Sequence, residues 1–186
     1  MIEASAHARR ARLIELLRAL SVRTGRFVLA SGATSDLYVD VRQTSLHQEG
    51  SYLIGRAILE RLRPEVVGVG GMTLGADPIA CGAAALGLVY DRPVHAFLVR
   101  KEAKAHGTAG AVEGLANLPP GSKVAVVEDT TTTGSSLWAA IERARAAGLD
   151  VVQAITVVDR EEGAVARLAE LGVHLESLTT RSDLCP

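Results

Sequence analysis

The sequence predicts an α/β protein built on a doubly wound parallel β-sheet, with a small N-terminal hood and a single domain over residues 1–186. Apolar, β-branched runs predict the core strands, and they are near-continuous rather than alternating, as in strands covered on both faces. These runs are Val66–Val69, Val94–Val99, Val124–Val127 and Val151–Val158. Helical patterns separate several of them, which is typical of a parallel sheet. Aromatic residues are only 3% of the chain, which favours helices packed on a sheet over a β-sandwich.

The chain before the first core strand predicts one helix followed by the hood. Leucines at 13, 16, 17 and 20 recur at helical spacing and predict a helix with one buried face. Phe27–Arg42, FVLASGATSDLYVDVR, contains short strand-like runs. We therefore expect a hood mainly within about residues 20–45 and a core over about residues 50–186.

Further helices are predicted between and after the core strands. They are Tyr52–Leu62, Leu74–Leu88, Leu137–Ala147 and Ala164–Leu171. Gly148 and Gly172 stand where glycines commonly end helices. Because such sheets bind ligands beyond the carboxyl ends of their strands, the loops that follow the strands are the first candidates for a site.

Composition excludes several classes of protein. A hydrophobic content of 48% over 186 residues excludes a disordered chain. The net charge of −1 gives no reason to expect nucleic acid as a partner. Cys81 and Cys185 are the only cysteines, so we expect no disulfide framework, and a cytoplasmic location fits best. The N-terminus lacks the apolar stretch of a signal peptide, and we expect no membrane partner. The histidines lack the spacing of zinc ligands.

The strongest functional motif is VAVVEDTTTTGSS, Val124–Ser136, in which an apolar strand ends in two acids. Thr131–Ser136 offers backbone N–H groups, hydroxyls and the start of a helix, which suit a phosphate. Glu128 and Asp129 would repel that phosphate, so we expect them to contact hydroxyl groups or a metal ion held by the ligand. A ribose 5-phosphate meets both demands. No lysine follows Gly134, so the motif is not a Walker P-loop.

A second motif, RKEAKAHGTAG, follows the strand Val94–Val99 and spans Arg100–Gly110. Its cationic donors are Arg100, Lys101, Lys104 and His106. Gly107 and Gly110 free the backbone for opening and closing. A basic loop beside a phosphate site suits a second, multiply charged group such as pyrophosphate. A solvated, charged turn is the simpler alternative for this segment taken alone.

Together these motifs resemble a known family. Val124–Ser136 resembles the phosphoribosyl pyrophosphate (PRPP) motif of type I phosphoribosyltransferases, and Arg100–Gly110 resembles the catalytic loop of orotate phosphoribosyltransferases. Phe27–Arg42 is similar to that family's hood over the orotate ring. VVDREEG, Val157–Gly163, is similar to the strand end at which an arginine contacts the orotate carboxylate. The resemblance implies a type I phosphoribosyltransferase-like fold.

It also implies an activity: transfer of ribose 5-phosphate from PRPP to orotate, giving orotidine 5-phosphate and pyrophosphate, in pyrimidine biosynthesis. The cofactor is Mg²⁺, carried by PRPP near Glu128 and Asp129 without a direct protein ligand. The implied catalytic residues are Lys104, His106 and Asp129. The implied PRPP-binding residues are Arg100, Lys101, Lys104, His106, Glu128, Asp129, Thr130, Thr131, Thr132, Thr133, Gly134, Ser135 and Ser136. The implied orotate-binding residues are Thr132, Arg160 and Tyr38. The implied assembly is a homodimer in which Lys101–Gly110 of one chain closes over the other chain's site.

The chain departs from the family pattern at two places. Ala30 stands where many members have a lysine, and Gly71-Met72-Thr73-Leu74 stands where many have Tyr-Lys. We expect backbone amides at Gly70 and Gly71 to approach the pyrophosphate instead. Two alternatives remain open: a purine-directed phosphoribosyltransferase and a non-catalytic, PRPP-sensing regulator.

Overall fold

The core of the molecule is a six-stranded sheet in the order β5-β4-β3-β6-β7-β8. The computed structural model describes residues 4–28, 34–102 and 110–185. All neighbouring strands run parallel except β5, which pairs antiparallel with β4 at one edge. The strands are β3 (Gly68–Met72), β4 (His95–Val99), β5 (Val112–Glu113), β6 (Lys123–Thr131), β7 (Asp150–Asp159) and β8 (Leu175–Thr180).

Helices cover both faces of this sheet. They are α1 (Ala6–Leu16, continued by a π-helical turn over Leu17–Ser21), α2 (Arg42–Ser45), α3 (Gln48–Arg61), α4 (Asp77–Val89), α5 (Ser135–Ala146), α6 (Ala164–Ala169) and α7 (Arg181–Leu184). Burial on both faces explains the continuous apolar run Val124–Val127 in β6. Ala125 and Val127 pack with α1, α3 and α4, whereas Val124 and Val126 pack with α5 and α6. The predicted doubly wound architecture is confirmed.

The N-terminal hood is an antiparallel hairpin of β1 (Val22–Val28) and β2 (Thr34–Val39). Its aromatic rings Phe27 and Tyr38 lie 5.6 Å apart between centroids. At its base, the buried hydroxyls of Ser21 and Thr44 share a hydrogen bond of 2.7 Å. This hydrogen bond connects the base of the hairpin to α2 and so helps to fix the position of the hood relative to the core.

The predicted core strands and helices are all present, with ends shifted by a few residues. Gly148 and Gly172 follow helices with φ of 89° and 70°, as expected of glycines at helix ends. The edge strands β5 and β8 were not predicted. Across residues 4–28, 34–102 and 110–185, no helix is both long and apolar enough to span a membrane.

Candidate active site

Two adjoining cavities open at the carboxyl ends of β3 and β6, where a parallel sheet of this kind binds ligands. The larger has a volume of about 290 Å³, and the smaller about 60 Å³. The larger is lined by Tyr38, Val39, Asp40, Arg42, Met72, Thr73, Leu74, Gly75, Lys101, Glu128, Asp129, Thr130 and Ser136. The smaller is lined by Glu128 and by Thr130–Leu137. Residues of the PRPP motif therefore border both cavities.

The smaller cavity is formed by the turn from β6 into α5. Gly134 precedes α5 with φ of 79°, a conformation that favours glycine. Ser135 begins the helix, and the first turn carries no acidic residue. The first N–H groups of a helix have no partner within it, and they are aimed at the space before its N-terminus. With Thr130–Thr133 lining the same cavity, this turn suits one phosphate group.

Of the acidic pair, Glu128 lines both cavities and Asp129 lines the larger one. Glu128 is buried, with only 6% of its surface exposed, and its Oε2 has no hydrogen-bond partner within the described residues. Burial, reinforced by the neighbouring carboxylate of Asp129, raises the pKa of Glu128 from 4.5 to about 8. Asp129 Oδ1 accepts a hydrogen bond of 2.6 Å from the Thr130 N–H. One acid is thus held neutral at neutral pH, and the other accepts from the backbone.

The opposite wall of the larger cavity is the segment after β3. Gly75 packs so closely on the acidic pair that a Cβ there would lie 2.6 Å from Asp129 Cγ. Thr73 and Leu74, at the positions where many family members have lysine, line the cavity and are joined by a cis peptide bond. Neither Gly70 nor Gly71, whose backbone amides were expected to approach the pyrophosphate, lines either cavity. Both lie within β3, where an added Cβ would come within 2.0 Å of a backbone oxygen of the neighbouring strand, so they serve strand packing.

The basic segment after β4 is described only in part. Lys101 lines the larger cavity, and its charge acts on Glu128. Arg100 instead forms an ion pair with Glu113 on β5, with Nε at 2.7 Å from Oε1, and does not line either cavity. Lys104 and His106 lie outside the described residues, as do Gly107 and Ala30.

The hood closes the larger cavity with Tyr38, Asp40 and Arg42. Arg42 Nε donates to Asp40 Oδ1 at 2.8 Å, and this hydrogen bond lowers the pKa of Asp40. Arg160 lies behind the hood: it is 7% exposed, and its Nη1 donates to Leu37 O at 3.4 Å.

The backbone links this arginine to the PRPP motif, because the Arg160 N–H donates to Thr131 O at 2.8 Å. Thr132 lines the smaller cavity rather than the larger one. The structure thus gathers Tyr38, Lys101 and the PRPP motif around the cavities, with Arg160 one layer behind.

Several residues at the site were not predicted from the sequence. Asp40 and Arg42 belong to the segment identified as the hood, and their position just after β2 was the available signal. Arg143 on α5 donates to the backbone oxygen of Lys101 at 2.9 Å. Arg167 on α6 donates to Ser135 Oγ at 2.8 Å. No local motif marks these two arginines, because each contacts a site residue that is distant from it in the sequence: Lys101 for Arg143, and Ser135 for Arg167.

The doubly wound sheet, with an acidic pair near the end of β6 and a turn that leads into α5, has the fold of the type I phosphoribosyltransferases. A comparison with family models gave no match. The fold is also that of adenine phosphoribosyltransferase from Leishmania tarentolae, with a TM-score of 0.63 at 16% identity over 92% of this chain and 88% of that one. At that identity the likeness concerns the fold alone.

Closer similarities identify the family. The chain is 42% identical to orotate phosphoribosyltransferase from Nostoc sp. over 94% of its length and 84% of the relative's. The solved orotate phosphoribosyltransferase of Mycobacterium tuberculosis in complex with Fe(III) dicitrate superposes with a TM-score of 0.83 at 42% identity, covering 96% of this chain and 99% of that one. The chain belongs to the orotate phosphoribosyltransferase family.

Proposed function

We propose that this chain transfers ribose 5-phosphate from PRPP to orotate, releasing pyrophosphate, and that the two cavities are where it does so. The observation that carries the proposal is the position of Glu128, which borders both a phosphate-sized cavity and the larger cavity that Asp129 also lines. The Mycobacterium tuberculosis relative has been solved in complex with PRPP, at 38% identity over 95% of this chain. Both the class of site and the family therefore support the same reaction.

Each part of PRPP has a complementary part of the site. The turn over Thr130–Ser136 holds the 5-phosphate through backbone N–H groups and hydroxyls. The carboxylate of Asp129 accepts hydrogen bonds from the ribose hydroxyls and fixes the sugar. Lys101, joined by Lys104 and His106, stabilises the charge that grows on the departing pyrophosphate. Displacement at the anomeric carbon then needs no covalent intermediate on the enzyme.

The acidic pair also fits a magnesium ion carried by PRPP. In such sites Mg²⁺ keeps several of its waters and is bound largely by substrate phosphates, so nearby carboxyl groups can contact it through those waters without a direct bond. Glu128 and Asp129 provide carboxyl oxygens beside the proposed ribose site, and Glu128 Oε2 is buried without a hydrogen-bond partner among the described residues. In the same part of the chain, no group of three His, Cys, Asp or Glu side chains is placed to hold a metal alone. When bound, the ion supplies positive charge that stabilises the leaving pyrophosphate.

The acceptor base enters beneath the hood. Tyr38 gives a ring face for orotate, and Arg160 supplies the positive charge that selects an acidic pyrimidine. Arg160 Nη2 lies 3.1 Å from Glu162 Oε1, and Nη1 bonds to Leu37 O. The bond to Leu37 places the guanidinium beside β2, the strand that carries Tyr38. Thr132, the remaining proposed base contact, belongs to the turn over Thr130–Ser136, which we call the phosphate turn.

The decisive experiment is pyrophosphate release from PRPP and Mg²⁺ with orotate, adenine, hypoxanthine or uracil as acceptor. We expect turnover with orotate alone. Turnover with a purine and not with orotate would establish the purine-directed alternative. PRPP binding without turnover of any base would establish the regulator.

We also propose a homodimer in which Lys101–Gly110 of one chain completes the site of the other. Apolar side chains are exposed both at the cavity wall and at the end of α4: Leu74 is 70% exposed, Leu88 83% and Val89 71%. A second copy that covers these side chains would remove them from water, and two-fold dimers are the commonest soluble assemblies. Within a single chain Lys101 already lines its own cavity, so sharing concerns above all Lys104 and His106.

Mixed dimers test this sharing. Lys104→Ala and Asp129→Asn proteins, each nearly inactive, are unfolded and refolded together in equal amounts. Random pairing makes about half of the dimers mixed, and sharing gives each mixed dimer one intact site, so activity recovers to about a quarter of wild type. Activity that stays at the level of the separate variants would contradict a shared site.

A cytoplasmic location completes the proposal. Cys81 and Cys185 are both free and exposed, as expected of a protein in a reducing compartment.

A further inference from the structure

The phosphate turn packs against helix α6, which lies outside the PRPP motif. Helix α6 packs directly on Gly134, because a Cβ at that glycine would lie 2.8 Å from Leu168 Cδ1 and 3.3 Å from Ala164 Cα. The helix cannot move away from the turn without losing this contact, since Leu168 and Ala164 are both buried. Arg167, next to Leu168, is therefore held beside the phosphate turn.

The Arg167 guanidinium contacts the turn through a hydroxyl. Its Nη1 donates to Ser135 Oγ at 2.8 Å, and Ser135 Oγ lies 3.0 Å from Thr133 Oγ1. A guanidinium donates hydrogen bonds and accepts none, so Ser135 Oγ must be the acceptor. The hydroxyl hydrogen of Ser135 is then left to donate, either to Thr133 or to an anion in the smaller cavity.

An aromatic ring supports the guanidinium in this position. Arg167 Cζ lies 5.5 Å from the centroid of the Trp138 ring, within the range of a cation–π interaction. Among residues 4–28, 34–102 and 110–185, no carboxylate forms an ion pair with Arg167, so its charge is not neutralised by a neighbouring acid. The arrangement presents a positive charge at the edge of the turn.

The smaller cavity needs such a charge. Glu128 and Thr130–Leu137, which line it, include no lysine and no arginine. A phosphate monoester bound there carries nearly two negative charges at neutral pH. Backbone N–H groups and the start of α5 offset only part of this charge.

We propose that Arg167 is a further phosphate-binding residue, which contacts the 5-phosphate of the phosphoribosyl substrate together with Ser135. The proposal rests on the function proposed above for this turn, and it assigns to α6 a direct part in binding. The remaining N–H groups of the guanidinium would reach a phosphate oxygen while Nη1 keeps its bond to Ser135. A negatively charged acceptor strengthens such hydrogen bonds.

Two small ligands separate this subsite from the rest of the cavity. Ribose 5-phosphate occupies the smaller cavity and the sugar site, whereas inorganic pyrophosphate occupies the Lys101 side. Calorimetric titration of Arg167→Met in the presence of Mg²⁺ should show affinity for ribose 5-phosphate reduced about tenfold, the effect expected from losing a charge-assisted hydrogen bond. Affinity for pyrophosphate should remain within about twofold of wild type. The affinity of Arg167→Lys for ribose 5-phosphate should lie between those of wild type and Arg167→Met, because lysine keeps the positive charge but lacks the planar guanidinium with its paired donors.

Arg145→Met is the matched control. Arg145 lies on α5 and donates to Leu171 O and Val151 O, away from both cavities. It should bind both ligands as wild type does. Equal affinities for ribose 5-phosphate in the Arg167→Met and Arg145→Met proteins would overturn the inference, as would an equal loss for both ligands or a wild-type protein that binds no ribose 5-phosphate. Wild-type protein that shows the expected binding pattern without turning over orotate would refute the proposed reaction and leave this inference standing.

Discussion

Glu128 offers a direct test of the electrostatics at the site. Its carboxyl is buried next to Asp129, and its pKa is raised from 4.5 to about 8. In the unfolded chain this group ionises near its ordinary pKa, while in the folded protein it stays protonated up to about pH 8. Between those two pKa values the unfolded state binds fewer protons than the folded state. The free energy of unfolding of the ligand-free protein must therefore fall as pH rises through this window.

Glu128→Gln removes this dependence while preserving the shape of the side chain. Each unit of pKa difference corresponds to about 1.4 kcal/mol between the protonation states. With the pKa of Glu128 at about 8, the Glu128 contribution to wild-type stability should fall by about 3 kcal/mol between about pH 5 and about pH 7.5. The variant should therefore gain about 3 kcal/mol of stability relative to wild type over that interval, and no more above the folded pKa.

Urea unfolding of both proteins near pH 5 and near pH 7.5, at one protein concentration and without PRPP, measures this difference. The control is Glu142→Gln, a charge removed from an exposed position on α5. Its stability relative to wild type should stay constant within about 0.5 kcal/mol over the same interval. If Glu128→Gln behaves like this control, Glu128 is ionised in the folded protein and the burial argument is wrong.

Further substitutions test the walls of the larger cavity. Gly75→Ala should lower kcat/KM for PRPP at least about tenfold, because the added Cβ would lie 2.6 Å from Asp129 Cγ and would displace that carboxylate; an unchanged value in steady-state assays would contradict the proposed role of Asp129. Arg160→Ala should raise KM for orotate far more than KM for PRPP, since a hydrogen bond to a charged group is worth about 1.5–3 kcal/mol; equal effects on both substrates would remove Arg160 from the base site. Arg143→Met should raise KM for PRPP in the wild-type background, because Arg143 holds the Lys101 carbonyl at 2.9 Å. It should have little further effect in Lys101→Met, and additive effects would show that the two residues act independently.

The strands that were predicted from the sequence are those whose burial on both faces requires a run of apolar residues. β6 and β7 are covered on both faces, so each contains an apolar run, Val124–Val127 and the near-continuous Val151–Val158, that can be read from the sequence. β8, LESLTT, lies at the sheet edge and carries polar residues that mimic a loop. β5 has only two residues and exists because it pairs with β4. Its formation depends on pairing with Leu98 and Val99 of β4, and no pattern within the two residues themselves indicates that pairing.

The same division applies to the site. Glu128, Asp129 and the phosphate turn are contiguous, so the sequence alone places them together. The orientation of Arg100 depends on Glu113, which draws its guanidinium to the sheet edge. The burial of Gly71 depends on the backbone of β6, since a Cβ there would lie 2.0 Å from Val127 O. Such contacts between separate segments decide which residues of a motif face the ligand, and only the folded chain contains them.

The charge balance of the larger cavity explains why these contacts between segments matter for PRPP. Its described lining carries two cations, Arg42 and Lys101, against three acids, Asp40, Glu128 and Asp129. Arg42 is already paired with Asp40, and a pKa of about 8 keeps Glu128 mostly neutral at neutral pH. Lys101 is then offset by Asp129, so the lining alone is close to electrically neutral. A pyrophosphate bound there gains little net attraction unless further positive charge arrives with it. With threonine and leucine in place of the family's common lysine after β3, that charge must come from the ligand's own metal ion and from basic side chains outside the described lining.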